Sequence, residues 1–253
     1  MITKNELKYF SALLKKKIRE KEKKFVVEGE KIVEEGLKSS FKCERIIVTH
    51  EFYEKKQDYL NENISNKNLL GVIKNQEFNK ISDTVNSQGI AAFFQIPKKN
   101  YDIEEIKTNI AVCLDNISDP GNVGTIFRNC DWFGINEIFL TEGCAEVYNP
   151  KTIRASMGSI FHLNIFDNIN LSSIFNLKKK NYKIITADIK GENIYNFNFP
   201  SKAVLIFSNE TSGPGMELLE FSDNIITIPK SGNAESLNVA SASAVILSQL
   251  RNA

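Results

Sequence analysis

Three segments of this chain place polar and glycine residues where they would meet a ligand rather than pack a core. Asp115–Arg128 carries Asn122, Gly124 and Arg128 behind a Pro120-Gly121 turn. Asn122 is the expected cap of a helix in which Arg128 lies nearly two turns along. Ser208–Gly215 sets Asn209, Glu210 and Gly213 in a Gly/Ser/Pro turn, with Glu210 free to cap a helix starting near Met216. Pro229–Val239 holds Gly232, Ser236, Leu237 and Asn238, with Ser236 as the expected N-cap and Asn238 in the first helical turn. Glycines at these points also let a ligand approach the backbone closely. Read singly, each segment is equally a capped corner between a strand and a helix. Their occurrence together, each after an apolar strand, marks a binding site, because ligands in parallel α/β sheets bind beyond the carboxyl ends of strands.

Other chemistries lack their residues. There is no G-x-G-x-x-G or G-x-x-x-x-G-K-[ST] phosphate loop and no G-x-S-x-G elbow. His50 and His162 are far apart, and Cys43, Cys113, Cys130 and Cys144 show no C-x-x-C spacing, so no metal is expected. Cys113 sits in an apolar run and reads as a small buried hydrophobe.

The elements that must position the three loops follow from periodicity. Ile110–Leu114 is a continuous apolar run, as for a strand buried on both faces of a parallel sheet. Ile138–Leu140, Phe161–Ile165, Tyr182–Ala187, Ala203–Phe207 and Ile225–Ile228 are further strands, with helices between most of them. Leu237–Leu250 aligns Leu237, Ala240, Ala244 and Leu247 at helical spacing. The alternation predicts a mostly parallel α/β sheet. Before it lies a smaller α/β unit. Lys4–Lys17 and Glu30–Leu37 are its helices, and Phe25–Val27, Ile46–Val48, Leu69–Val72 and Ile90–Phe94 its strands. Ile96–Glu105 has proline, charges and no periodicity, which suits a linker between domains at 1–97 and 107–253.

The chain of 253 residues is 42% hydrophobic and 25% charged, which excludes wholesale disorder. It shows no membrane-length apolar run and no secretory leader, so a cytoplasmic protein with reduced thiols is expected. A net charge of +1 does not announce a polyanion partner. The run Lys15–Lys24, KKKIREKEKK, is nevertheless strongly basic. It reads either as a solvated helix face with Glu–Lys pairs or as a phosphate-contacting arm.

The motifs resemble those of the SpoU (TrmH-type) branch of the SPOUT RNA methyltransferases. Asn122, Gly124 and Arg128 match N-x-G-x-x-x-R, and Asn209, Glu210 and Gly213 match N-E-x-x-G. Ile228, Pro229, Gly232, Ser236, Leu237, Asn238 and Val239 match I-P-x-x-G-x-x-x-S-L-N-V. Arg154–Ser159 resembles a further stretch common in these enzymes, and Phe25–Glu30 the start of their substrate-binding domain. Ser208 departs from the glycine often found there, and remains small.

The resemblance implies a carboxyl-terminal segment threaded into a trefoil knot, against the general rule for protein chains. It implies a homodimer using S-adenosylmethionine to methylate a ribose 2′-oxygen of structured RNA, with 23S ribosomal RNA the favoured substrate and transfer RNA the alternative. Arg128 would be the catalytic residue, contributed to the partner's pocket. Asn122, Glu210, Ser236 and Asn238 would orient ribose, arginine and cofactor. Ser208, Asn209, Gly213, Ile228 and Leu237, with Thr186 and Ala187, would line the cofactor pocket. Lys16, Lys17, Arg19 and Lys24 would contact RNA phosphates. A non-catalytic RNA-binding assembly factor is the rival reading; it predicts decay at the catalytic positions, which all match.

Overall fold

The computed structural model describes residues 2–98, 103 and 106–252. In chain order the elements are α1 (Lys4–Ala12), α2 (Lys16–Glu22), β1 (Lys24–Glu28), α3 (Glu30–Lys38), β2 (Cys43–Thr49), α4 (His50–Lys55), α5 (Gln57–Asn63), β3 (Leu70–Ile73), α6 (Asn75–Phe78) and β4 (Ile90–Gln95). They continue as β5 (Ile110–Asp115), α7 (Pro120–Trp132), β6 (Glu137–Thr141), α8 (Pro150–Ser156), β7 (Asn164–Ile169), α9 (Leu171–Asn176), β8 (Lys183–Asn193), β9 (Ala203–Ser208), α10 (Met216–Phe221), β10 (Asn224–Thr227) and α11 (Val239–Asn252). Two compact units result, Met1–Lys99 with Tyr148–Phe161, and Asn100–Val147 with His162–Ala253. Much of the linker expected over Ile96–Glu105 lies outside the described residues.

The first unit holds a sheet of order β1-β4-β2-β3, in which β4 runs antiparallel to β1 and β2 while β2 and β3 are parallel. The helix expected over Lys4–Lys17 is in fact two. Thr3 and Glu6 start α1 with a reciprocal capping box, and Leu7 and Phe10 turn inward. The helix stops because Arg19 folds back from α2 and its Nη1 donates to the carbonyls of Leu13 (2.9 Å) and Leu14 (2.7 Å). Those carbonyls are among the orphans every helix end leaves. The strand expected over Phe161–Ile165 begins only at Asn164. Phe161 instead lies in a 3-10 turn and packs on Phe41, Phe94 and Phe25 at ring separations of 5.1, 5.3 and 6.3 Å.

The second unit is built on a six-stranded sheet of order β10-β8-β9-β5-β6-β7, parallel at every pairing. β9 is buried at every position, as a strand covered on both faces must be. On one side α11 lies against α7. Asn129 Nδ2 donates to the Ala240 carbonyl (2.9 Å) and Ser243 Oγ (3.0 Å), and Arg251 donates to the carbonyls of Phe133 and Gly134. Parallel strands put all their carboxyl ends on one edge, so the loops after β5, β8, β9 and β10 converge there.

Candidate functional site

At that edge Asp115 and Ser208 are neighbours across the β5–β9 ladder, and the Asn209 amide donates to the Asp115 carbonyl (3.2 Å). Asp115 Oδ1 accepts from Thr141 Oγ1 (2.9 Å), which in turn accepts from the Asn116 amide (3.1 Å). Asn116 takes a left-handed conformation (φ 54°), and its carbonyl accepts from Asn209 Nδ2 (3.3 Å). The loops after β5, β6 and β9 are thus tied together below the site. Asp115, Asn116 and Thr141 went unnoticed in the sequence because nothing local distinguishes them from ordinary strand-end residues.

Above this base runs a chain of carboxamides. Asn238 Nδ2 donates to Asn122 Oδ1 (2.9 Å), and Asn122 Nδ2 donates to Glu210 Oε1 (3.0 Å). One bridge therefore joins all three polar loops through one residue from each. Two capping assignments change. Asp119, not Asn122, caps α7, its Oδ1 accepting from the Asn122 amide (2.9 Å) ahead of Pro120 at the first helical position. Asn238, not Ser236, caps α11, its Oδ1 accepting from the amides of Ala240 (3.0 Å) and Ser241 (3.4 Å). The helix accordingly starts at Val239 rather than Leu237. The Asp-Pro pair was the signal for the first correction. Glu210 does not cap α10, whose N-cap is Gly215 without a side-chain bond. Freed of capping, Asn122 and Glu210 point at each other.

The remaining pocket candidates divide by what holds them. Asn209 is spent on its own turn, Oδ1 accepting from the amides of Thr211 (2.8 Å) and Ser212 (3.4 Å). Thr186 is fully buried and shares a hydrogen bond with Ser222 Oγ (2.7 Å); Ala187 follows it, half-buried. Ser208 Oγ is buried and has no hydrogen-bond partner among the described residues, a costly state unless a ligand or water meets it. Gly213 is left-handed (φ 64°), with only Asp188 Oδ2 near the space a Cβ would take. Ile228 is half-buried beyond β10, and Ser236 and Leu237 are exposed, Leu237 to 50%. Arg128 projects from α7 into solvent.

Among the described residues no group of three or more His, Cys, Asp or Glu side chains forms a metal cluster, and no helix is long and apolar enough to cross a membrane. All four cysteines are free. Burial pushes the Cys43 thiol up to about 11 and those of Cys113, Cys130 and Cys144 upward as well, so none has the thiolate character nucleophilic catalysis needs.

The sequence pattern of the SpoU rRNA Methylase family matches residues 109–248, the span that holds all three loops. The chain belongs to the SpoU rRNA methylase family. In this SpoU chain residues 4–92 also match an MRM3-like substrate binding domain. The chain is 33% identical to the 23S rRNA (guanosine(2553)-2'-O)-methyltransferase RlmP of Bacillus subtilis, over 97% of this chain and 96% of that one. It is 31% identical to the human mitochondrial rRNA methyltransferase 3 over 67% of this chain, but spans only 41% of that protein. Among solved structures, a putative TrmH-family RNA methyltransferase from Porphyromonas gingivalis superposes with a TM-score of 0.86 at 30% identity, over 100% of this chain and 99% of that one. AviRb of Streptomyces viridochromogenes, solved with AdoMet, superposes at 0.85 over 99% and 98%; at 20% identity it speaks for the shared fold.

The basic run of this SpoU chain separates into different fates. Arg19 is 2% exposed and bound to backbone carbonyls, so it is a structural residue and not a phosphate contact. Lys24 is held by Glu44 and lies 5.5 Å from the Tyr9 ring centre. Burial alone would lower its pKa, but these partners outweigh that and raise it. Lys16 and Lys17 are exposed, Lys16 facing Glu20 at 3.8 Å.

Proposed function

We propose that this chain is an S-adenosylmethionine-dependent RNA methyltransferase that methylates a ribose 2′-hydroxyl in 23S-type ribosomal RNA. The observation that carries the reading is the Asn238–Asn122–Glu210 bridge, which joins the three signature loops at the strand ends. Family membership and the likeness to RlmP over nearly the whole chain supply the chemistry.

The residues present fit the cofactor: Ser208 Oγ is an unmet buried hydroxyl, Gly213 leaves open space, and Leu237 offers an apolar face. Backbone around Ser208, Ile228 and Leu237 would hold it, with Thr186, Ala187, Asn209 and Gly213 shaping the walls. Bound there, S-adenosylmethionine supplies a methyl group activated on a sulfonium. The chain's own task is to position the ribose and ease the 2′-proton away. Arg128 does not act as a base alone, because a guanidinium presents donors and no acceptor. It binds the nucleotide phosphate and lowers the hydroxyl's proton affinity, and the 2′-proton leaves to a phosphate oxygen. Asn122, Glu210 and Asn238 fix the loops around this centre, and Ser236 orients the ribose.

The protein works as a homodimer. Trp132, the one tryptophan, is 82% exposed and lies one helical turn beyond Arg128 on α7. A surface that covers Trp132 therefore receives Arg128 beside it. Residues 107–253, apart from Tyr148–Phe161, which group with the first unit, form the catalytic domain and 1–97 the RNA-recognition domain, with Lys16 and Lys17 as phosphate contacts. The segment after β10, at one edge of the sheet, returns to Asn122 beside β5, which supports threading into a trefoil knot. The four free thiols accord with a cytoplasmic site of action.

The test is transfer of labelled methyl from S-adenosylmethionine to unmodified ribosomal RNA and, separately, transfer RNA, with nuclease mapping. Label at one ribose 2′-oxygen of 23S RNA is the expected result. Label in transfer RNA overturns the substrate, and absence of both labelling and cofactor binding overturns the enzyme.

A further inference from the structure

We propose that a cleft in the first unit receives an unpaired nucleobase of the RNA; this rests on the RNA methyltransferase reading above. The cleft, of about 600 Å3, opens where β1, β2 and β3 end and β4 begins. That is within the range of small-ligand sites. Phe52 and Phe78, both buried, form an apolar floor. Around them stand the carboxamides of Asn75, Asn79, Asn86 and Gln88.

The electrostatics select a base over a phosphate. The charged residues at the mouth cancel in pairs, Lys55 with Glu51 at 2.8 Å and Lys56 with Glu30 at 3.0 Å. A phosphate site needs uncompensated cations, whereas neutral carboxamides offer the paired donors and acceptors that a base edge presents. Splayed bases of single-stranded segments are the parts of RNA that proteins read in this way.

The cleft is also preorganised. The nearly buried carboxylate of Glu28 accepts from Ser82 Oγ (2.6 Å), the Asp83 amide (3.1 Å) and Thr84 Oγ1. At the other end of the same loop, Gln88 Oε1 accepts from the Glu30 amide (2.7 Å). Gly89 closes the loop in a left-handed conformation (φ 80°), with Thr49 Oγ1 only 2.6 Å from where a Cβ would sit. A loop pinned at both ends holds up Val85, wholly exposed, and Asn86 beside it. Val85 is an apolar tip against which a base can lie, and the chain's own packing makes no use of it.

The experiment uses the full chain and a 23S ribosomal RNA transcript, with binding read by filter retention and turnover by labelled methyl. Asn79→Ala combined with Asn86→Ala changes two exposed side chains and should leave the melting temperature and cofactor affinity unchanged. The expected result is a loss of transcript affinity and a rise in KM of about tenfold, at unchanged kcat and unchanged salt dependence. A 4-thiouridine transcript should photo-crosslink within residues 75–89, and Val85→Asp should suppress the crosslink. Unaltered affinity in the double variant, a crosslink only elsewhere, or a loss accompanied by a shallower salt slope, the mark of a phosphate contact, overturns the proposal. A wild-type chain that binds the transcript without methylating it overturns the enzyme reading and leaves this one to stand or fall on binding and crosslink.

Discussion

Asn238 performs two jobs with two different atoms, and a pair of substitutions separates them. Its Oδ1 caps α11 by accepting from the amides of Ala240 and Ser241, while its Nδ2 donates to Asn122. Asn238→Ala removes both. Loss of an N-cap costs about 1 kcal/mol. An exposed neutral hydrogen bond adds about 0.5–1 kcal/mol. Together, about 1.5–2 kcal/mol lowers Tm by about 3–8 °C in a chain of this size. Asn238→Asp keeps the cap, because an aspartate caps as well as an asparagine and its charge suits a helix N-terminus. It cannot donate to Asn122 Oδ1. If the Asn122 carboxamide turns over to face the new carboxylate, it presents oxygen to Glu210, so one of the two bridges breaks either way. The Asp variant should therefore melt within about 2 °C of wild type, yet lose between roughly twofold and tenfold in kcat/KM, the cost of one hydrogen bond. Melting curves and single-turnover methyl transfer on the same preparations read both quantities. Full activity in the Asp variant refutes the bridge as a functional element. A Tm loss in the Asp variant as large as in the Ala variant refutes the cap.

Arg128→Ala should reduce methyl transfer by at least about 10²-fold while cofactor affinity, by calorimetry, stays within twofold, as for loss of a charge that holds the nucleotide phosphate beside the reacting 2′-hydroxyl; equal loss of both sinks the assigned role. Arg19→Ala should cost about 2–4 kcal/mol in urea unfolding, because it strands the carbonyls of Leu13 and Leu14, and should leave the salt dependence of RNA binding unchanged. Lys16→Ala and Lys17→Ala should do the reverse, leaving stability intact and making the salt slope shallower by about 0.7–0.9 per lost phosphate contact. Burial alone would raise the Asp223 carboxyl, but the Ile184 amide and the charges of Lys178 and Lys183 hold it below the usual range. A folded pKa below the unfolded one, about 3.9, means its stabilisation is present above that value and lost as pH falls through the lowered one. Asp223→Asn should accordingly be less stable than wild type at pH 7, by at most about 1 kcal/mol, with the gap closing as pH falls through the lowered carboxyl range; a gap that persists in acid points to packing instead.

The second unit was legible because its signals are local. A continuous apolar run such as Ile110–Leu114 has little choice but a covered parallel strand, and a Gly/Pro/Asn segment after it has little choice but a loop. Which polar atom meets which was not legible. Asn122 and Asn238 are far apart in the chain and meet only because β5 and the return from β10 converge on one edge. Either asparagine alone scores well as a cap. Only the geometry shows that Asp119 takes that role for α7, freeing Asn122 for Glu210. Strand-to-helix exchange at Phe161 had the same origin: its neighbours Phe25, Phe41 and Phe94 all come from the other end of the sequence.

The basic run shows the limit from the opposite direction. Lys16, Lys17 and Arg19 share one short helix and one composition, and composition alone gives them one role. The fold divides them by face. Arg19 is on the side of α2 turned toward the end of α1, where a guanidinium's several donors satisfy two carbonyls that an ammonium on a thinner stem would serve less well. Lys16 and Lys17 are on the solvent side, Lys16 beside Glu20 at 3.8 Å. A count of cations therefore overstates the phosphate-binding capacity of this arm, because one of them is consumed in ending a helix. On the proposed reading, the net charge of +1 accords with local recognition, in which Lys17 and few other cations meet phosphates and neutral carboxamides meet a base.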